Sequence, residues 1–138
     1  MKKSVVILIS LIYVASIALV GFLGLKAKSY NEVIYVESIE VLSDYEVDSK
    51  TGSKYIIFRP LHEGDRTIQL ECKVLPDNAS DKRIIYKLAK DCTVATIDEN
   101  GLLTFVGDTS KHFSVTVYIN ANQNTTLSDK ILIYYVPQ

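Results

Sequence analysis

Residues 67–75 read TIQLECKVL, and this stretch decides the fold class of the chain. Apolar side chains stand at every second position from Ile68 to Val74, and the positions between them are polar or charged. A period of two is typical of a β-strand that buries one face and exposes the other to water. Pro76 and the polar residues that follow it end the segment. The stretch therefore predicts one half-buried strand of a sheet.

Similar extended segments recur on both sides of this stretch. They are predicted at residues 33–42, 54–59, 83–88, 94–97, 102–106, 113–119 and 131–136. Polar residues fill 43–53 and 120–129, which are predicted to be exposed loops. No segment of the soluble part carries a convincing helical stripe. Seven or eight short strands with turns roughly every ten residues predict an all-β fold, a two-sheet sandwich.

Residues 5–25 have a different pattern: they read VVILISLIYVASIALVGFLGL and carry no charge. As a helix they would span roughly 32 Å, close to the ~30 Å hydrocarbon core of a bilayer. We expect an uncut transmembrane anchor that contacts membrane lipid through residues 5–25. Two alternatives are a secretory signal cleaved near Ser29, where Ala27 and Ser29 are small, and a buried helix of a soluble protein.

The charges around this helix bear on its orientation. The amino terminus, Lys2 and Lys3 precede it, and Lys26 and Lys28 follow it. Positive charge prefers the cytoplasm, and over a hundred residues follow the helix. We expect a single-pass cell-membrane protein with a cytoplasmic N-terminus. Its parts would be a signal-anchor segment at residues 1–28 and one small extracytoplasmic domain at residues 29–138.

Composition disfavours most catalytic and nucleic-acid functions. The 15 basic and 16 acidic side chains are scattered, so no basic stripe indicates nucleic acid. The two histidines, His62 and His112, lie beside predicted turns, and no phosphate-binding glycine loop occurs. Asp44, Glu46 and Asp48 alternate and could bind calcium, but a solvated acidic loop is the favoured interpretation. We expect no enzyme activity, no cofactor, no metal and no small-molecule substrate.

The two cysteines, Cys72 and Cys92, leave two interpretations open. In an exported domain they could form one disulfide that closes a loop of about 20 residues and contributes about 3 kcal/mol. They could equally be two independent small side chains that pack as hydrophobes.

Nine tyrosines and no tryptophan hint at an interaction surface, because tyrosine is enriched in contact patches. Tyr118 and Tyr134, with either Tyr35 or Tyr45, could share one face of the domain. Half-buried tyrosines on a sheet are the favoured alternative.

Residues 68–107 carry a resemblance to a known family. They read IQLECKVLPDNASDKRIIYKLAKDCTVATIDENGLLTFVG, which resembles the bacterial immunoglobulin-like domain, group 2. The matching residues lie at two turns and in the segment between them: Pro76, Asn78, Ala79, Val94, Ala95, Thr96, Ile97, Asp98, Asn100, Gly101, Leu102, Thr104 and Gly107. Tyr86 stands where the family usually has tryptophan. The resemblance covers about residues 33–136.

This resemblance implies a structural role for its signature residues and a surface role for the protein. The residues expected to set turns and fill the core are Pro76, Asn78, Tyr86, Val94, Ala95, Ile97, Asn100 and Gly101. The implied fold is an immunoglobulin-like two-sheet sandwich. The implied function is non-catalytic adhesion, binding or structural support at the bacterial cell surface, with protein or carbohydrate as partner. Alternatives are an accessory subunit of a membrane complex, or a domain secreted after cleavage near Ser29.

Overall fold

The chain forms two compact units, Met1–Val33 and Ile34–Gln138. The computed structural model of the protein describes residues 2–30 and 32–138, with residues 24–30 in their backbone alone. The side chains of Lys26 and Lys28 and those around the potential cleavage site at Ser29 therefore lie outside the described residues.

The first unit contains one helix, α1, Lys3–Tyr30. Its segment Lys3–Leu23 has a mean hydropathy of 2.7, and none of it is buried. Within this segment the hydroxyls of Ser10 and Ser16 donate to the helix's own carbonyls at 2.9 and 2.8 Å. The sequence prediction of a helix long and apolar enough to cross a membrane is confirmed. Its orientation stays a prediction.

The second unit consists of strands and their connections. They are β1 (Ser38–Val41), β2 (Glu46–Val47), β3 (Lys54–Phe58), β4 (Thr67–Gln69), β5 (Cys72–Leu75), β6 (Ile84–Leu88), β7 (Ala95–Ile97), β8 (Leu102–Phe105), β9 (Phe113–Ala121) and β10 (Ser128–Tyr135). The predicted predominance of strands is confirmed in the described residues.

The strands form three sheets. A five-stranded sheet has the order β2-β3-β10-β9-β6, a three-stranded sheet has the order β4-β8-β7, and β1 pairs with β5. All pairs are antiparallel except β10 with β3, where Ile131 lies opposite Lys54 and Tyr135 opposite Phe58.

One hydrophobic core joins side chains of different sheets, an arrangement consistent with a sandwich. Leu103 and Phe105 of the three-stranded sheet cluster with Val117, Ile119 and the inward residues of the five-stranded sheet. The predicted alternation along β9 is confirmed, since its odd-numbered positions are buried or half-buried and the even ones are more open. A smaller cluster contains Val36, Val74, Ala79 and Ala121.

Residues 67–75 form two strands rather than the one predicted. The predicted alternation of buried and exposed side chains is confirmed, since Leu70 and Val74 are buried. However, the chain changes partner after Leu70, whose N–H donates to the Gly101 carbonyl at 2.9 Å. The next N–H, of Glu71, donates to the Ser43 hydroxyl at 2.8 Å. β4 therefore pairs with β8, and β5 pairs with β1.

Three other predicted boundaries were wrong. Only the second half of residues 33–42 is a strand, because side chains satisfy the earlier backbone: Ser80 accepts from Ile34 N–H and Gln123 from Val36 N–H. The predicted loop at residues 43–53 contains β2, which pairs with β3. The predicted loop at 120–129 is shorter, because β9 extends to Ala121 and β10 begins at Ser128.

Candidate interaction surfaces

The signature turn between β7 and β8 is built by one carboxylate and one glycine. Asp98 Oδ1 accepts from the N–H of Asn100 at 2.9 Å and of Leu102 at 2.8 Å. Gly101 has φ of +82°, a conformation that side-chain-bearing residues rarely adopt. A Cβ at Gly101 would lie 2.8 Å from the Leu70 carbonyl oxygen and 2.9 Å from the ring of Tyr86.

Tyr86 is half-buried and packs against the main core, beside Gly101. Burial raises the pKa of Tyr86, and the neighbouring Cys72 adds to the shift. Tyr86 therefore stays neutral and fills the space that the bare Gly101 backbone leaves. This contact joins residues fifteen positions apart and has no local signature in the sequence.

The other residues that the resemblance assigns to turns and core have the following contacts. Val94 accepts backbone bonds from Val106 and Gly107, at 2.8 and 3.0 Å, and Ala95 is buried. Ile97 is half-buried against the core. Pro76 accepts from the N–H of Ala79, while Asn78 is exposed within that turn.

Cys72 and Cys92 are both free thiols. Each is half-buried against the main core, as in the interpretation of two independent small side chains. Burial raises the pKa of Cys72, so its reactive thiolate is suppressed.

Two of the three acidic side chains that could bind calcium make bonds within the domain, those of Glu46 and Asp48. Asp48 Oδ1 accepts from the N–H of Lys50 and Thr51, and these bonds lower the pKa of Asp48. Glu46 Oε2 accepts from the Tyr55 hydroxyl at 2.5 Å. Within residues 2–30 and 32–138 no histidine, cysteine, aspartate and glutamate side chains group as a metal site.

A polar cleft of about 540 Å³ lies where residues 60–66 meet Thr109, Ser110 and the end of β10. It brings His62, Asp65 and Ser110 to one place, which sequence reasoning missed. His62 Nδ1 lies 3.5 Å from Asp65 Oδ2, but the His62 side chain is 83% exposed. The Ser110 hydroxyl donates to the Asp108 carboxylate at 2.6 Å and not to the His62 ring.

The outer surface of the five-stranded sheet carries a patch of aromatic and aliphatic side chains. We call it the outer tyrosine face; its residues are Tyr55, Ile57, Tyr118, Leu132 and Tyr134. Tyr134 lies opposite Ile57 in the register, and its ring centroid is 5.9 Å from that of Tyr55 in an edge-on contact. Tyr118 and Tyr134 are 42% and 40% exposed.

The prediction that Tyr118 and Tyr134 share a face is confirmed by their even-numbered positions on paired strands. The third tyrosine of the outer tyrosine face is Tyr55, not Tyr35 or Tyr45. Tyr45 precedes β2, where its ring lies 5.5 Å from the Lys54 ammonium. Sequence analysis missed Tyr55 because β3 pairs with β10, which is far away in the chain, and no local pattern indicates that pairing.

No protein-family model matches the chain, and no curated protein matches it significantly.

Proposed function

We propose that the protein is a membrane-anchored, extracytoplasmic immunoglobulin-like domain with a non-catalytic role in adhesion, binding or structural support at the bacterial cell surface. The observation that carries this proposal is the order of the strands in the sheets. The partner class that the proposal favours is protein or carbohydrate.

The strand order supports the immunoglobulin-like class. Constant-type immunoglobulin domains place strands A, B, E and D in one sheet and C, F and G in the other. If β4 and β5 are two halves of strand B, the pairings β1-β5 and β4-β8-β7 correspond to A-B-E-D. The order β6-β9-β10 then corresponds to C-F-G, with β3 and β2 added beyond G.

The local chemistry of the signature residues supports the resemblance to the bacterial group 2 domains. Asn100 and Gly101 make the β7–β8 turn, and Tyr86 packs beside that turn at the position where the family usually has tryptophan. These contacts explain why such residues would be retained for folding rather than for catalysis.

The apolar helix supports attachment to a membrane. An extracytoplasmic position for Ile34–Gln138 is favoured by the charges before the helix and by the length of chain after it. The outer tyrosine face offers a recognition surface, because exposed tyrosines combine a large apolar ring with a hydrogen-bonding hydroxyl.

The role of this face can be tested with the full chain in nanodiscs fixed to a surface. We expect intact bacterial cells of the source strain to be retained on the coated surface, but not on empty nanodiscs. The double substitution Tyr118→Ser and Tyr134→Ser is expected to abolish most of the retention. The matched control is Tyr35→Ser, which removes a 63% exposed tyrosine elsewhere.

Equal retention by the double variant and the control would contradict a binding role for the outer tyrosine face. Recovery of the chain in a stable complex after gentle detergent extraction would instead support an accessory subunit. A mature protein whose measured mass shows that it begins after Ser29 would support a secreted domain.

A further inference from the structure

Tyr118 lies between two lysines on the outer surface of the five-stranded sheet. In the pairing of β9 with β6 it is opposite Lys87, and in the pairing of β9 with β10 it is opposite Lys130. Side chains at directly opposite positions of paired strands share one face of the sheet. Both lysines therefore flank the Tyr118 ring, and their Cα atoms are roughly 10 Å apart, which is two strand spacings.

The polar groups of these three side chains have no partner within the domain. Lys87 and Lys130 are exposed, and neither makes an ion pair among the residues that the structure describes. The hydroxyl of the exposed Tyr118 makes no hydrogen bond within the same residues. Two ammonium groups and one phenol are thus available to a ligand on this surface.

The other positions around Tyr118 on this face carry hydroxyl, amide or aliphatic side chains. By the strand registers and the alternation along each strand they are Thr116, Asn120, Ile85, Ala89, Ser128 and Leu132. We call Tyr118, the two lysines and these positions the lysine–tyrosine patch. The patch contains two positive charges and no carboxylate.

Two acidic side chains close to the patch in the sheet are already engaged. Asp129 lies opposite the buried Ile119, which places it on the inner side of the sheet, where it pairs with Lys54. Glu46 lies on the outer face, at the β2 edge, and accepts from the Tyr55 hydroxyl at 2.5 Å. Neither carboxylate neutralises the lysines of the patch.

Two further carboxylates lie near the ends of β6. Asp81, before the strand, is held by Arg83 and by the Asn122 side chain. Asp91, after the strand, lines a depression with Ser114 and follows the exposed Lys90 in the chain. Even with Asp91 counted, the lysines leave this part of the surface positive. The complementary ligand is therefore anionic.

The residue types of the patch favour a sugar chain over a protein. Protein–protein interfaces are depleted of lysine, serine and alanine, and the patch contains Lys87, Lys130, Ser128 and Ala89. The side chains of Thr116, Asn120 and Ser128 make no hydrogen bond within the described residues, so they can pair with sugar hydroxyls. The Tyr118 ring adds an apolar surface on which the C–H face of a sugar can pack.

We propose that the lysine–tyrosine patch binds an anionic polysaccharide whose sugars carry carboxylate groups. This inference rests on the proposed binding function and names its partner class. One sugar ring packs on Tyr118, and carboxylates on either side of it pair with the ammonium groups of Lys87 and Lys130.

The test uses three fluorescent oligomers of equal length and the full chain in zwitterionic nanodiscs. Oligogalacturonate carries a carboxylate on every sugar, a malto-oligosaccharide is neutral, and oligoglutamate carries the same charge without sugar rings. We expect oligogalacturonate to bind about tenfold or more tightly than either of the others by fluorescence anisotropy, because it alone matches both the lysines and the tyrosine.

Variants separate the patch from general attraction to the domain. Lys87→Gln with Lys130→Gln is expected to weaken oligogalacturonate binding about tenfold. The matched control, Lys50→Gln with Arg66→Gln, removes the same charge from exposed residues elsewhere and should change binding less than about twofold. Tyr118→Leu should weaken binding about fivefold, whereas Tyr118→Phe, which keeps the ring, should change it less than about twofold.

A failure of oligogalacturonate to bind, or equally tight binding of oligoglutamate, would overturn the inference. Equal effects of the two double variants would do the same, and so would a dimer of the full chain in detergent that Tyr118→Leu dissociates. If cells are still retained through the outer tyrosine face while oligogalacturonate does not bind, the inference fails and the proposed function stands.

Discussion

At the scale of single residues, Gly101 is a position where any added side chain would strain the backbone and clash with its neighbours. Gly101→Ala combines a φ of +82° with contacts of 2.8 and 2.9 Å to Leu70 and Tyr86. We expect a loss of about 2 kcal/mol or more in the free energy of unfolding, measured by urea titration of the full chain in detergent.

The matched control for this prediction is Gly52→Ala. Gly52 also has positive φ, +68°, but a Cβ there meets nothing within 4 Å. Gly52→Ala should therefore lower the free energy of unfolding only through its strained backbone conformation, by about 1 kcal/mol. Equal losses at the two glycines would contradict the role assigned to the contact between Gly101 and Tyr86.

Asp81 ties the β5–β6 connection to the rest of the domain. Its carboxylate accepts from Arg83 and, at 2.8 Å, from the Asn122 side chain, and these bonds lower the pKa of Asp81. Because the folded pKa lies below the unfolded value near 3.8, its stabilisation is present above about pH 4 and disappears as the pH falls through the folded pKa.

We therefore expect Asp81→Asn to lower the melting temperature at pH 7, with a difference from the parent that shrinks below pH 4. Melting followed by circular dichroism between pH 2 and pH 8 measures this effect. Asp77→Asn is the control, since among the described residues the exposed Asp77 carboxylate has one ion-pair partner, Lys73, at 3.9 Å. A difference that is independent of pH would show that the charge of Asp81 is not what stabilises the connection.

Sequence reasoning at this scale identified turn residues better than their contacts. Asn100 and Gly101 were recognised because a tight turn has a local signature. The packing of Tyr86 beside Gly101 depends on two strands that meet only after folding, and so does the contact of Tyr55 with Tyr134. For the same reason the pairing of Cys72 and Cys92 could not be decided from their spacing.

At the scale of elements, an aromatic cluster joins the two main sheets at one end of the domain. Phe105 of β8 is fully buried, and its ring centroid lies 5.1 Å from Phe58, 5.7 Å from Phe113 and 5.1 Å from Tyr135. Phe113 and Tyr135 stack with centroids 4.7 Å apart. This cluster holds the three-stranded sheet against the five-stranded one.

Phe105→Ala is expected to destabilise the domain by about 3–5 kcal/mol, because it removes a large buried ring and leaves a cavity. Urea unfolding of the full chain in detergent measures the loss. Val106→Ala, at the next residue, is the control; Val106 is 52% exposed and should change stability by less than about 0.5 kcal/mol. Similar losses for the two variants would contradict the placement of Phe105 between the sheets.

The strands themselves could be predicted where burial alternates cleanly, as along β9 and in residues 67–75. What the pattern could not reveal was the change of sheet between Leu70 and Glu71. The side chains keep the same period there, while the backbone partner passes from Gly101 to Ser43. Partner choice depends on distant residues, so periodicity alone cannot locate such a break.

At the scale of the whole molecule, an apolar helix and a β-rich domain belong to one chain. The proposed function requires that the helix span the bilayer and that the domain be extracytoplasmic. The composition of residues 5–25 made the helix predictable, because membrane spans have a simple hydropathy signature. Orientation rests on weaker charge differences, and a partner's identity has no comparable signature in the sequence.

Labelling of an introduced cysteine in spheroplasts tests the central claim most directly. In a Cys72→Ala and Cys92→Ala background, Thr125→Cys places a thiol on the exposed β9–β10 connection. We predict that a membrane-impermeant maleimide labels it in intact spheroplasts as fully as after lysis, and that the labelled chain stays in the membrane after carbonate extraction. Labelling only after lysis, or release of the labelled chain by carbonate, would contradict an anchored extracytoplasmic domain.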